Sequence, residues 1–148
     1  MIKIYTDGAC SGNPGIGGWG VLVLTTNQQK TELYGGEEKT TNNRMEMIAI
    51  IKGLEYVIDR NLVNEKIEFY TDSQYVKNGV DDWVSNWISN NWRKSDGEDV
   101  KNKDLWEKIV ELRDKVNVSF IWVKGHSNNE YNDYADKLAK KFIKLTTK

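Results

Sequence analysis

The sequence contains one cysteine, one proline and one histidine in 148 residues. A lone Cys10 excludes an internal disulfide and any zinc site built on several thiolates, which makes a reducing, cytoplasmic location the default expectation. No window approaches the run of about 18 apolar residues that a membrane span requires, so no membrane partner is expected. No signal peptide is visible before the first strand-like residues. An excess of one charge is also missing: 21 Lys and Arg stand against 22 Asp and Glu. Any nucleic-acid partner must therefore be held by a local patch. Repeats, linkers and low-complexity segments are absent, and the length suits a single domain over residues 1–148.

Glycine, by contrast, is concentrated near the start. Ile2 to Gly20 reads IKIYTDGACSGNPGIGGWG. Ile2, Ile4 and Tyr5 are strand formers, whereas Gly8, Gly12, Pro14, Gly15, Gly17 and Gly18 interrupt a strand and permit close backbone approach. The pattern predicts that Asp7 sits at an exposed strand end, delivering one carboxylate into a glycine-rich bend. Trp19 to Thr25 is a near-continuous apolar run and predicts a second strand covered on both faces. Lys30 to Tyr34 predicts a short edge strand that completes an antiparallel meander.

A helix is predicted from near Asn43 to Arg60. Asn43 and Glu46 are three residues apart, so the plain reading of Glu46 is a capping box. Glu46 nevertheless shares a helix face with Ile50, Gly53 and Val57, and a carboxylate on a packed face needs a partner. Lys66 to Asp72 (KIEFYTD) repeats the ending of the first strand, which places Asp7 and Asp72 at equivalent strand ends. The plain reading of Asp72 is the N-cap of a short helix over Ser73 to Gly79. Further helices are expected over Val80 to Asn91 and Asp104 to Val116, with a fifth strand over Val118 to Val123. A last helix has Tyr131, Ala135, Leu138, Ala139 and Phe142 on one stripe, flanked by Asp136. Strands alternating with helices after a meander imply an α/β fold with a sheet part antiparallel and part parallel.

Sites in open α/β sheets form beyond the carboxyl ends of the strands. Asp7 and Asp72 point there, and Glu46 and Asp136 can converge on the same crevice. Four carboxylates together favour protonation unless cations neutralise them. Mg²⁺ or Mn²⁺ suits such hard oxygen ligands, and two ions about 4 Å apart serve phosphodiester hydrolysis. His126, in the loop KGHSNN, has the one side chain whose unperturbed pKa of about 6.5 suits a proton shuttle. Taken alone, a single histidine is more often a plain surface residue.

TDGACSGNPGIGGWG, TTNNRME, TDSQYV, VKGH and the final aspartate of NDYADKLA resemble, in order and spacing, type 1 ribonuclease H. The resemblance covers essentially the whole chain. It implies the family's Asp, Glu, Asp, Asp set at Asp7, Glu46, Asp72 and Asp136, binding two Mg²⁺ ions with Mn²⁺ as a substitute. His126 would assist proton transfer or product departure. It implies a five-stranded mixed sheet with helices on both faces, and an endonuclease that hydrolyses the RNA strand of RNA/DNA hybrids to leave 3′-hydroxyl and 5′-phosphate ends. Cys10, Asn13, Asn42, Asn43 and Gln74 match positions that contact the hybrid. Lys39, Thr41 and Asn102 match a phosphate pocket for the DNA strand, and Trp83 an aromatic channel. Trp87 is read as core. A monomer with no obligate protein partner follows from the same resemblance.

One region departs from the family pattern. The basic protrusion of the family is here the stretch from Trp83 to Ser95, whose cations are Arg93 and Lys94, amid Asp81, Asp82, Asp96, Glu98 and Asp99. This predicts weaker or more salt-sensitive hybrid binding, because phosphate neutralisation supplies much of the affinity. Lys137, Lys140, Lys141, Lys144 and Lys148 are read as a solvated helix face. A hybrid-binding module without catalysis and a DNA-acting nuclease of the same fold are the alternatives. The full carboxylate set argues against the first, and the hybrid-contacting residues with VKGH argue against the second.

Overall fold

The structure is a computed structural model that describes residues 1–27, 29–94, 96–124 and 130–147. Three strands open the chain: β1 (Ile2–Ser11), β2 (Gly15–Leu24) and β3 (Lys30–Thr40). Helix α1 (Asn42–Asp59) leads to β4 (Lys66–Thr71) and a short α2 (Gln74–Asn78). A π-helical turn at Gly79–Trp83 runs into α3 (Val84–Ser89), followed by α4 (Lys103–Arg113), β5 (Asn117–Trp122) and α5 (Glu130–Thr146). The sheet order is β3-β2-β1-β4-β5. The pairs β1–β2 and β2–β3 are antiparallel, whereas β1–β4 and β4–β5 are parallel.

Alternation along the central strands sends side chains to two helical layers. Ile2, Ile4, Val21, Val23, Ile67 and Phe69 meet Ile50 and Leu54 of α1 in the larger core. Tyr5 and Leu22 point the other way and meet Ala135 and Leu138 of α5. The expected five-stranded mixed sheet with helices on both faces is therefore present. No helix among the described residues is long and apolar enough to cross a membrane.

Gly12 and Pro14 form the turn between β1 and β2, but Gly8, Gly17 and Gly18 do not interrupt these strands as their composition predicts. The ladder between these strands continues through Gly8–Trp19, Ala9–Gly18 and Cys10–Gly17. The reason is packing. A Cβ on Gly8 would lie 2.5 Å from the Glu46 amide nitrogen at the start of α1, and one on Gly20 would lie 2.5 Å from the Ala135 carbonyl oxygen of α5. Glycine lets both helices approach the sheet backbone. The third strand likewise runs past Gly35 and Gly36 to Thr40, because Gly17 and Gly18 of β2 continue to pair with it.

Helix boundaries shift for identifiable reasons. Thr41, not Asn43, caps α1: its Oγ1 accepts from Arg44 N at 3.3 Å. The stretch expected as one helix over Val80 to Asn91 is broken by the π turn and ends at Ser89. The space that a Cβ on Gly79 would need is filled by the Trp106 indole.

Gly53 of α1 lies where a Cβ would be 2.7 Å from Phe69 Cε1 and 3.3 Å from Ile4 Cγ2, both fully buried. Alanine gains about 1 kcal/mol of helix propensity over glycine, but overpacking a rigid core costs about 1–3 kcal/mol. Gly53→Ala is therefore expected to lower the denaturant midpoint. An unchanged or higher midpoint would show that Phe69 can yield.

Candidate active site

Parallel pairing sets the site's frame. Tyr5 of β1 pairs with Tyr70 of β4, so Asp7 and Asp72 each stand two residues further along neighbouring strands. The close approach of α1 then brings Glu46 down beside Asp7. The Gly8 amide donates to Asp7 Oδ1 and to Glu46 Oε1, each at 2.9 Å. Asp7, Glu46 and Asp72 each offer a carboxylate oxygen within 4.8 Å of the others. Asp136 of α5 lines the same cleft, a cavity of about 550 Å³, with its Oδ2 at 3.0 Å from Lys140 Nζ.

Three local expectations change here. Asp7 is not at an exposed strand end: it lies within β1 and is only 4% exposed. Its neighbours along β1 are small enough for the ladder to β2 to continue beyond it. Glu46, 3% exposed, caps nothing, because α1 starts earlier and the carboxylate reaches across to β1. Asp72 is followed by the N-cap of α2 and is not the cap itself; Ser73 Oγ accepts from Val76 N at 3.1 Å.

Burial and mutual repulsion govern the carboxylates' protonation. Burial pushes Asp7 well above the usual carboxylate range, and the neighbouring charges of Glu46 and Asp72 push it further. Burial also raises Glu46, against the lowering effect of its hydrogen bonds to Asp7 and the Gly8 amide. Without a cation the pair retains a proton near neutral pH. Glu46 Oε2 is buried and has no hydrogen-bond partner among the described residues. A cluster of hard oxygens with an unused buried lone pair fits a divalent cation of the Mg²⁺ or Mn²⁺ type.

The other expected site residues fall into three places. Cys10, Asn42, Asn43 and Gln74 line the carboxylate cleft. Asn13, Thr41 and Asn102 line an adjoining pocket of about 270 Å³ with Asn42, Asn43 and Lys101. Asn13 Oδ1 accepts from Asn42 N at 3.3 Å, which ties the hairpin turn to the start of α1. Lys39 is exposed near the end of β3 and does not line that pocket. Trp83 is half-buried in an aromatic cluster, its ring centroid 5.6 Å from Tyr75 and 5.8 Å from Trp87. Trp87, also half-buried, packs against the larger core and Trp106. His126 and Lys148 lie outside the described residues.

Asn132, Asp133 and Lys140 also line the cleft and were not singled out by motif. For Lys140 a signal existed, since i+4 spacing from Asp136 puts both on one helix face. Arg44 was visible within TTNNRME, but its bidentate partner Asp104, at 3.1 and 3.0 Å, is 60 residues away. That ion pair holds the Asp104 carboxyl below its ordinary value.

A buried carboxylate within β1, a part-buried one just past β4 and a third, buried, from the crossing helix define a carboxylate-centred protein of the ribonuclease H-like fold. The RNase H family model matches residues 1–144, and the chain belongs to that family. The chain is 51% identical over 139 residues to ribonuclease H of Francisella tularensis subsp. novicida, covering 94% of this chain and 88% of the relative. Among solved structures it resembles LC9-RNase H1, a type 1 RNase H, with TM-score 0.81 and 31% identity over 93% of this chain and 69% of the other. It also resembles LC11-RNase H1 in complex with an RNA/DNA hybrid, with TM-score 0.73 and 25% identity over 98% of each chain.

Linkage makes the carboxylate pair a stability test. Asp7 and Glu46 hold protons more tightly in the folded state than at their ordinary values of 3.8 and 4.5, so the folded state binds more protons above those values. Stability of the metal-free protein should therefore fall as pH rises from about 4 towards 8. In EDTA at pH 7, Asp7→Asn is expected to stabilise by at least about 1 kcal/mol, since one pKa unit corresponds to about 1.4 kcal/mol. Melting curves across pH check both, and a wild type that gains stability from pH 5 to 8 in EDTA would contradict the burial argument.

Proposed function

We propose that this chain hydrolyses the RNA strand of RNA/DNA hybrids at the Asp7, Glu46, Asp72 and Asp136 site, leaving 3′-hydroxyl and 5′-phosphate ends. The observation that carries the reading is the convergence of Asp7, Glu46 and Asp72 oxygens within 4.8 Å in an open polar cleft, with Glu46 Oε2 lacking a hydrogen-bond partner among the described residues. Two Mg²⁺ ions, or Mn²⁺ in their place, would supply charge neutralisation, water activation and stabilisation of the leaving oxygen. Asp7, Glu46, Asp72 and Asp136 would hold them. Relatives named ribonuclease H and the hybrid-bound LC11-RNase H1 support the substrate class.

The chain's own groups then have separate tasks. Glu46 and Asp7, fixed by one amide, set the position of the attacked phosphate relative to the protein backbone. Asn42, Asn43, Gln74 and Cys10 border the cleft with short polar groups able to read a 2′-hydroxyl, which is both donor and acceptor in a shallow groove. Thr41 and Asn102 bind a phosphate of the DNA strand, with Asn13 and Lys39 nearby, and Trp83 meets a sugar of that strand. His126 moves a proton near the leaving group or helps the product depart. The protein works as a cytoplasmic monomer, a single domain over residues 1–148 with no obligate protein partner.

The protrusion contributes little cationic grip. Arg93 Nη1 donates to the Gly97 carbonyl at 3.3 Å, and Lys94 Nζ lies 3.9 Å from Asp96. Its two cations therefore face their own loop, while Asp82 and Glu98 are exposed. Replacing Glu98 and Asp82 by lysine should tighten hybrid binding and steepen its salt dependence by up to roughly 0.9 in log–log slope for each new phosphate contact. Unchanged affinity and slope in a salt titration would mean that this protrusion does not meet the duplex.

The deciding measurement is cleavage of end-labelled hybrid beside single-stranded RNA, duplex RNA and duplex DNA, in Mg²⁺ with and without EDTA. Only the RNA strand of the hybrid should be cut, and Asp7→Asn or Asp136→Asn should reduce cutting by about 10³-fold or more, the scale of losing one electrostatic group at a reacting centre. Binding without cutting in either metal would leave the non-catalytic module. Cutting of duplex DNA would instead favour a DNA-acting nuclease.

A further inference from the structure

Asn102 stands at the N-cap of α4 and yet caps nothing. Asparagine is among the preferred N-cap residues, but a capping residue ordinarily has an extended backbone that lets its side-chain oxygen reach the first-turn amides. Here φ is 60°, in the left-handed region that asparagine tolerates, and the side chain leaves its own helix. Arg44 Nη1 donates to Asn102 Oδ1 at 3.3 Å, and Asn102 Nδ2 donates to Tyr75 Oη at 3.2 Å. A guanidinium has only donors, so Arg44 selects the oxygen end of the amide and decides which end carries the hydrogens. Arg44 is itself clamped by Asp104.

Tyr75 closes this network from the other side. Its hydroxyl also accepts from Trp106 Nε1 at 3.2 Å, and the Trp106 side chain is fully buried. Its ring stands edge-on to Trp83. One side chain thus touches both the pocket residue Asn102 and the half-buried Trp83 of the aromatic cluster.

We propose that Tyr75 is a positioning residue for nucleic-acid contact. It holds the Asn102 amide with one Nδ2 hydrogen engaged, and presents the second to the polar pocket at the start of α1, where it meets a substrate phosphate. The identity of that ligand rests on the hybrid-nuclease reading above. Two features of the pocket suit an anion. No carboxylate is among the described residues that line it. The pocket also adjoins the first turn of the 18-residue α1, whose amides and dipole favour negative charge. An amide free to flip would present its oxygen to the phosphate part of the time, and would lose rotational freedom on binding. The Arg44 and Tyr75 contacts remove both costs before substrate arrives.

Tyr75→Phe keeps the ring and deletes the hydroxyl. KM for hybrid should rise about three- to tenfold, the equivalent of one hydrogen bond, with kcat changing far less. Asn102→Ala should raise KM by a similar factor, and the double variant should be no worse than Asn102→Ala, since the two act through one contact. In the free protein, the Asn102 side-chain amide resonances should shift in Tyr75→Phe and the spacing between its two protons should narrow. A lower melting temperature with unchanged KM, or additive effects in the double variant, would overturn the proposal and leave Tyr75 structural. A wild type that neither binds nor cuts hybrid would remove the functional reading and the ligand with it. A wild type that cuts hybrid with KM indifferent to Asn102→Ala would overturn the positioning role alone.

Discussion

One amide holds the centre of this protein together. The Gly8 N–H donates to Asp7 and Glu46 at the same time, and so fixes two buried carboxylates that would otherwise repel each other. Both groups ionise at a cost in the absence of a cation: both are desolvated, the Glu46 charge opposes ionisation of Asp7, and the charges of Asp72 and Asp136 oppose that of Glu46. The folded chain tolerates the pair because its larger core, between α1 and the sheet, is well filled by Ile4, Phe69, Ile50 and Leu54. Local destabilisation is thus concentrated at the point where a divalent cation would relieve it.

That constraint reaches into the backbone. Gly8 must lack a side chain for α1 to come close enough to share its amide, and Gly20 must lack one for α5 to bring Asp136 over the same strand pair. The parallel β1–β4 register then places Asp72 level with Asp7. Three elements distant in sequence converge on one cleft because the sheet beneath them is nearly bare of side chains where they cross.

Much of this was legible before any coordinates. The Thr-Asp pair that follows strand formers in both β1 and β4 pointed to two carboxylates, and helix-face placement with the ordered motifs pointed to the other two. The fold class followed from element order. What escaped was decided by contacts between residues far apart. The glycines of β1 and β2 look like breakers because composition cannot report that a helix lies on top of them. Asn43 and Glu46 have the spacing of a capping box, but the helix is capped two residues earlier, at Thr41, and Glu46 finds Gly8 instead. The break at Gly79 depends on Trp106, and the Arg44 clamp depends on Asp104; neither pairing leaves a local signature.

The residues that defied local rules share a location. Glu46 is a buried acid that caps nothing, Asn102 is an N-cap residue turned away from its helix, and Gly8 is a glycine inside a paired strand. Each breaks a local rule, and each stands at the carboxylate cleft or the pocket beside it. Sequences that fold well agree with themselves across levels, except where function imposes a cost. That criterion supports the proposed reading of the cleft and its neighbouring pocket as one surface. Asn42 and Asn43, which line both, are where the two halves meet.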